Sequence, residues 1–182
     1  PYYIKGVNEA MTLCGFKDDR LNIEAYRQNG CPTTLLHEWL HPCGFNASQL
    51  SDIQHHISGQ AGKIWESPTH RLLRDRAHLL LVEKQDEADK PVIEMNETSE
   101  IGPTGAEFAY VDADLITAPL VLRKVQNADW FVPFGMKGRK LLSDFLTNQK
   151  LSRFQKERQW VLCHGNDIVW VIGLRSDNRF RV

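Results

Sequence analysis

Residues 85–104 constrain the fold most, because they break the hydrophobic pattern of the chain into two separate parts. This segment reads QDEADKPVIEMNETSEIGPT and combines acidic residues with proline and glycine. Such a composition is typical of a solvated linker, with room for one strand at PVIEM. We therefore predict two domains, 1–84 and 105–182, joined by an acidic linker at 85–104.

The first domain is predicted to contain a pair of short helices followed by a small β-hairpin. The run TLLHEWL has helical spacing, and Asn46 with Gln49 has the pattern of a capping box that begins a second helix. Beyond Gly62 the runs KIWES, HRLLR and HLLLVEK favour strands, with a turn at Asp75-Arg76.

The second domain is predicted to consist of strands interrupted by two short helices. The strand-like runs AEFAYV, PLVLRKV and DWFVPF precede the helical run KLLSDFL, and Ser152 with Gln155 offers a second capping box. Gly165-Asn166 lies between WVLCH and DIVWVIGL and indicates a hairpin. The predicted class is α+β: a short helical region with a small hairpin, then a basic domain built on a mixed β-sheet or a barrel-like sheet with two short helices.

Charge is distributed unevenly along the chain. The 182 residues carry 22 basic and 23 acidic side chains, a net charge of -1, yet residues 84–118 hold 2 basic against 9 acidic and residues 119–182 hold 12 against 5. A basic third of this kind indicates a polyanionic partner. The plainer alternative is a chance excess of lysine and arginine on solvated faces.

Other features bear on the compartment. No apolar run approaches the roughly 18 residues that a membrane span needs, and no basic-then-apolar leader opens the chain, so we expect no membrane partner. Four cysteines without a C-x-x-C pair are typical of scattered reduced thiols, which predicts a cytoplasmic protein. The start at Pro1, without an initiator methionine, suggests a piece of a longer protein.

The run His37-Glu38-Trp39-Leu40-His41 fits H-E-x-x-H, in which two histidines on one helix face bind zinc. Proline at position 42 disfavours helical geometry for the residue before it, so we expect His41 to lie at or past the helix end. A structural zinc on His37, His41 and Cys43, joined by one of the histidines at 55 and 56, is a second alternative. We favour surface histidines and predict no metal ligand.

A glycine-rich basic turn is the strongest candidate for a binding site. In PFGMKGRK (133–140), Gly135 and Gly138 allow backbone N–H groups to approach a phosphate, while three cations supply charge. A strand-to-helix turn with solvated lysines is the alternative. The predicted RNA-binding residues are Lys137, Arg139, Lys140, Lys150, Arg153, Arg158, Arg175, Arg179 and Arg181. The aromatic residues that could stack on bases are Trp130, Phe131, Trp160, Trp170 and Phe180, with core packing favoured for the tryptophans at 160 and 170.

The run from Asp129 to Val182, with VDADLITAPLVLRK ahead of it, closely resembles the C-terminal domain of bacterial tRNA(Ile)-lysidine synthases. The motifs that carry this resemblance are Pro133, Gly135-Met136-Lys137-Gly138, KLLSDF, Lys150, Ile168-Val169-Trp170 and Gly173-Leu174-Arg175. Upstream, LLHEWLHPCGFN and GKIWESPTHRLLRDRAHLLL are similar to the middle domain of the same family. Residues 1–84 would then be the middle domain and 105–182 the tRNA-binding C-terminal domain.

This resemblance implies an enzyme that uses ATP and Mg to adenylate the wobble cytidine of the minor isoleucine tRNA and then joins lysine to it. The family places that chemistry in an N-terminal domain with an S-G-G-x-D-S loop, which is absent from this sequence. We therefore expect no catalytic residue and no cofactor in this chain, and a role in holding the tRNA, at its acceptor stem. Two alternatives stay open: a zinc-dependent hydrolase built on HEWLH, and a structural module that forms a homodimer.

Overall fold

The computed structural model describes residues 2–84 and 90–182, with side chains from residue 7 onward. The chain divides into two compact units, Pro1–Asp86 and Glu87–Val182. Each unit has its own cluster of buried apolar side chains. The first five residues of the predicted linker lie outside the described residues, and its boundaries at 85 and 104 stay a prediction.

The first unit combines four helices with a five-stranded antiparallel sheet of order β1-β2-β5-β4-β3. The elements are α1 (Tyr2–Leu13), β1 (Phe16–Lys17), β2 (Arg20–Asn22), α2 (Ile23–Gln28), α3 (Thr34–Leu40), α4 (Ala47–His56), β3 (Ile64–Glu66), β4 (His70–Asp75) and β5 (His78–Glu83).

Local signals in this unit predicted α3, α4 and the strands β3 to β5, but they missed the elements before residue 30, which are α1, β1, β2 and α2. The helix TLLHEWL is α3, and α4 begins with the predicted capping box, in which the Asn46 side chain accepts from the Gln49 N–H and the Gln49 side chain accepts from the Asn46 N–H. The sheet is wider than the predicted hairpin, because β2 pairs with β5 and buries Leu21. Strands of two or three residues carry too little alternation to be recognised in the sequence.

The expectation of four reduced cysteines is wrong in this structure. Cys14 and Cys31 form a disulfide, with their Cα atoms 6.0 Å apart, while Cys43 and Cys163 are free. Cys14 directly follows α1 and Cys31 lies between α2 and α3, so the tertiary fold of the unit brings the two sulfurs together. Spacing along the chain holds no information about that proximity.

The second unit is built on a four-stranded sheet of order β11-β10-β9-β6, with a separate ribbon of β7 and β8. Its helices and strands are β6 (Leu120–Lys124), β7 (Trp130–Phe131), β8 (Lys140–Leu141), α5 (Leu142–Asn148), α6 (Arg153–Arg158), β9 (Trp160–His164), β10 (Asp167–Val171) and β11 (Arg175–Ser176). Short 3-10 helices cover Ala113–Leu115 and Asn178–Phe180.

The predicted α+β class is confirmed. All paired strands in the described part of the second unit are antiparallel, and they form an open sheet rather than a barrel. The capping box of Ser152 and Gln155 begins α6, and Gly165-Asn166 connects β9 to β10 as the sequence predicted. The runs PVIEM and AEFAYV form no strand, since residues 90–112 have no regular secondary structure.

The core of the second unit lies under α5. Phe131 and Leu142 are fully buried, and the rings of Phe131 and Phe145 meet edge to face with centroids 5.0 Å apart. This packing attaches the β7–β8 ribbon to the helix and so fixes both ends of the basic turn between them. Over residues 2–84 and 90–182, no helix has the length and apolarity required to cross a bilayer.

Candidate nucleic-acid interface

The basic turn at 133–140 connects β7 to β8. Met136 donates its N–H to the Pro133 carbonyl at 2.8 Å, and Gly135 has a φ of +83°, a conformation that side chains with a Cβ rarely adopt. The chain therefore reverses within four residues, and Phe134, Met136 and Lys137 are all exposed. A tight, glycine-dependent turn thus presents two apolar side chains beside a cation.

The segment that follows β10 holds this turn in place. Phe134 donates its N–H to the Ser176 carbonyl at 2.9 Å, and Gly135 donates its N–H to Oδ1 of Asn178 at 3.1 Å. Arg175 donates from Nη1 to the Phe134 carbonyl at 3.4 Å. Residues about forty positions apart in sequence are therefore neighbours, and Arg175 lies beside the turn.

A buried carboxylate organises that segment. The Asp177 side chain is fully buried and accepts from the N–H of Val132 at 3.0 Å and from the N–H of Arg179 at 2.8 Å. The Arg179 guanidinium pairs with Asp177 at 2.8 Å and with Asp167 at 2.6 Å. Arg179, predicted as an RNA contact, is thus bound to two carboxylates of its own unit.

Two of the predicted cations pack against the ring of Trp130. The guanidinium of Arg139 lies 3.9 Å from the Trp130 ring centroid, and that of Arg179 lies 4.5 Å from it. Both distances are within the range of cation–π attraction. Arg139 and Arg179 are therefore adjacent, and they contribute to the packing around Trp130.

A cleft opens beside the basic turn. Its volume is about 500 Å³, and its lining includes Phe134, Met136, Lys140, Asn148, Gln149 and Arg175. Two of these residues are cationic, two carry side-chain amides, and two are exposed apolar residues. Among the residues that the structure describes, no carboxylate lines it. An anionic ligand with a flat apolar part matches such a lining.

Two family models match the chain in order along its length. The TilS substrate binding domain matches residues 17–84, and the TilS substrate C-terminal domain matches residues 120–182. The tRNA(Ile)-lysidine synthase of Bacteroides thetaiotaomicron is 42% identical over 187 residues, covering 99% of this chain and 44% of that protein. The chain belongs to the tRNA(Ile)-lysidine synthase family.

A further relative agrees with this assignment. The tRNA(Ile)-lysidine synthase of Parabacteroides distasonis is 38% identical over 198 residues, covering 99% of this chain and 45% of that protein. The chain thus spans less than half the length of these relatives and corresponds to a C-terminal portion of the family. A crystal structure of a TilS C-terminal domain aligns with 48% of this chain and 68% of its own, at 24% identity and a TM-score of 0.43.

All nine predicted RNA-binding residues lie within the match to the lysidine synthase C-terminal domain. Lys140 and Arg175 meet at the cleft, and Lys137 lies in the turn beside it. Lys150 follows α5 with a φ of +60°, and Arg181 is exposed near the C terminus. The structure therefore brings three of the nine residues, Lys137, Lys140 and Arg175, to the cleft and the turn beside it.

The two predicted cations on α6 stand at its ends. Arg153 begins the helix and pairs with Glu157 at 3.1 Å, between largely exposed side chains. Arg158 ends the helix and lines a second, shallower cleft of about 360 Å³ with Trp160 and Leu174. Neither of the two belongs to the lining of the first cleft.

The aromatic residues proposed to stack on bases are mostly unsuited to it. Phe131, Trp170 and Phe180 are buried, and the ring of Trp160 is covered by the Lys124 ammonium, 4.3 Å from its centroid. In the basic turn, the exposed ring is that of Phe134, which sequence reasoning missed. An apolar residue between proline and glycine in a basic turn was the signal that could have identified it.

The HEWLH run differs from the prediction in the backbone angles of His41. His41 is the C-cap of α3, directly past its last residue, as predicted, but its angles are helical, φ -61° and ψ -42°, because the effect of the following proline is a preference that α3 overrides. The exposed rings of His37 and His41 stack with centroids 4.7 Å apart. Within the described parts of the chain, no group of three histidine, cysteine or acidic side chains is arranged to hold a metal. The hydrolase alternative therefore has no ligand set there.

Proposed function

We propose that this chain is the tRNA-positioning portion of a tRNA(Ile)-lysidine synthase. The full-length protein would use ATP and Mg to join lysine to the wobble cytidine of the minor isoleucine tRNA, in the cytoplasm. The ordered match to two domains of one family supports this proposal, as do relatives that bear the name tRNA(Ile)-lysidine synthase. We assign no catalytic or cofactor-binding residue in this chain.

The observation that carries the proposal is the exposed cationic turn beside the cleft. Lys137 is exposed in the turn, and Lys140 and Arg175 line the cleft next to it. Lysine and arginine on a rigid turn can contact phosphates, and such contacts hold a nucleic acid in register without reading its sequence. We infer that these three residues make the principal contacts with the tRNA.

The other predicted residues have different roles in this proposal. Lys150, Arg153, Arg158 and Arg181 would add contacts further along the tRNA backbone. Arg139 and Arg179 would act indirectly, because their guanidinium groups pack on Trp130 and Arg179 pairs with Asp177. Substituting Arg179 would therefore perturb the fold as well as the binding surface.

A titration of this chain with tRNA at several salt concentrations tests the proposal. We expect the logarithm of the association constant to fall linearly with the logarithm of salt concentration, since each phosphate contact releases counterions. Minor isoleucine tRNA and an unrelated tRNA are compared side by side. Absence of binding at low salt, together with a dimer that dissociates in salt, would favour the structural module instead.

The change Lys137→Glu tests the turn itself. We expect weaker binding to every tRNA and a salt slope reduced by about 1, as for the loss of one phosphate contact. Lys90→Glu is the matched control, because Lys90 is an exposed lysine of the same unit, outside the turn. Equal loss of affinity in both variants would show that net charge, rather than this turn, governs binding.

A further inference from the structure

We infer that the cleft beside the basic turn binds an unpaired nucleobase of the RNA, with Phe134 as the stacking surface. This inference rests on the proposed tRNA-binding function and specifies which part of the RNA the site takes. Phosphate contacts alone would need only the cations. The apolar residues of the turn require a separate explanation.

Both apolar residues of the turn are exposed beside its cations. Phe134 is 48% exposed and Met136 is 49% exposed, and both line the cleft. The π-face of a base packs well on an aromatic ring, and a polarisable thioether also contacts aromatic rings favourably. Within a duplex the base faces are buried in the helical stack, whereas an unpaired base offers a free face that can cover Phe134.

The backbone that carries the stacking ring is held in place before any ligand arrives. Hydrogen bonds fix the Phe134 backbone on both sides: its N–H donates to Ser176 and its carbonyl accepts from Arg175. Asn178 holds the next residue, Gly135. Because the backbone is already fixed, only the side-chain torsions of Phe134 have to be ordered when a base stacks on its ring, which favours binding.

The remaining lining suits the other parts of a nucleotide. Asn148 and Gln149 are exposed at the end of α5, and their amides can donate to and accept from a base edge. Lys140 and Arg175 can neutralise the adjoining phosphate. A volume of about 500 Å³ lies in the range of pockets for single small ligands, which fits one nucleotide rather than a duplex.

Binding to a short single-stranded RNA and to a duplex of the same length tests the inference, with fluorescence anisotropy as the measurement. We expect Phe134→Ala to weaken single-strand binding by about tenfold, the loss of one base–aromatic stack, while duplex affinity changes less than about twofold. Phe134→Tyr keeps the ring and should bind like the unchanged chain. Phe134→Leu keeps apolar area without the ring and should bind like Phe134→Ala.

Phe108→Ala is the matched control, since Phe108 is also 48% exposed and belongs to the same unit. It should change neither affinity. Equal losses for both RNAs in Phe134→Ala, or full affinity in Phe134→Leu, would overturn the nucleobase site while leaving tRNA binding intact. A chain that binds no RNA of any kind would overturn the proposed function and this site together.

Discussion

At the scale of single residues, basic side chains in the second unit differ in what they are bound to. Arg123 forms a bidentate ion pair with Asp129, with N···O distances of 2.8 and 2.9 Å. Arg179 pairs with both Asp177 and Asp167. These arginines stabilise the unit. Lys137, by contrast, is exposed at the tip of a turn. The number of basic residues in the second unit therefore overstates the number of cations that the proposed tRNA ligand could contact.

Asp177→Ala should lower the free energy of unfolding by about 3 kcal/mol, because it leaves the Val132 N–H and the Arg179 guanidinium without their buried acceptor. Urea denaturation measures this change. Asp167→Ala is the control, since Asp167 pairs with the same arginine but is 49% exposed, and we expect a cost of about 1 kcal/mol or less. Similar costs for the two variants would contradict the anchoring role of Asp177.

Asp52 gives a prediction about pH. Hydrogen bonds from Lys63 and from the Trp65 indole lower the pKa of its carboxyl. A carboxyl with a depressed pKa in the folded state contributes stability above its unfolded pKa of about 4, and this contribution is lost as pH falls through the folded value. The stability of Asp52→Asn should therefore fall less on acidification below about pH 4, measured by urea unfolding at each pH. An identical pH profile in both proteins would contradict this.

At the scale of elements, two short helices, α4 and α6, begin at side-chain caps. Both capping boxes, at Asn46 and Ser152, satisfy backbone N–H groups that would otherwise lack partners. The helices they begin are only ten and six residues long. Helices of this length depend on packing, which Ile53 and Phe154 provide as buried side chains of α4 and α6.

The disulfide joins the end of α1 to the segment before α3. After denaturation without reductant, we expect two thiols per chain to react with a thiol reagent, those of Cys43 and Cys163, and four after reduction. Reduction should lower the free energy of unfolding by about 3 kcal/mol, as expected for a cross-link between residues 17 positions apart. Four reactive thiols before reduction would show that this bond does not form in solution.

At the scale of the whole molecule, two cores are separated by an acidic, irregular segment. Residues 90–112 have no regular secondary structure, and their side chains are mostly exposed. Unit 1 ends near residue 86, while the second family match begins at residue 120. Residues 90–112 therefore offer accessible backbone to a protease.

Limited digestion with a glutamate-specific protease should cut this segment first, after Glu94, Glu97 or Glu100, all of which are exposed. Mass spectrometry of the products should show two resistant fragments that correspond to the two cores. Glu24 and Glu66, which are exposed within the folded first unit, are internal controls and should be cut later. Early cleavage at those positions would contradict the predicted linker.

The sequence by itself determined the features that depend on neighbours in the chain. Contacts within a few residues produce these features, so local sequence patterns predict them. They are the caps at Asn46 and Ser152, the hairpin at Gly165-Asn166 and the basic turn at 133–140. The family resemblance rested on such motifs, and the comparisons confirmed it.

Only the tertiary structure decided which distant residues meet. Three contacts depend on how the elements pack: the Cys14–Cys31 bond, the pairing of β2 with β5, and the hydrogen bond from Arg175 to Phe134. The hydrogen bond joins residues 41 positions apart in the sequence. Packing also buried Asp177, although it lies two positions from Arg175 and two from Arg179 in the sequence. Burial depends on surfaces contributed by remote elements, and no local pattern contains that information.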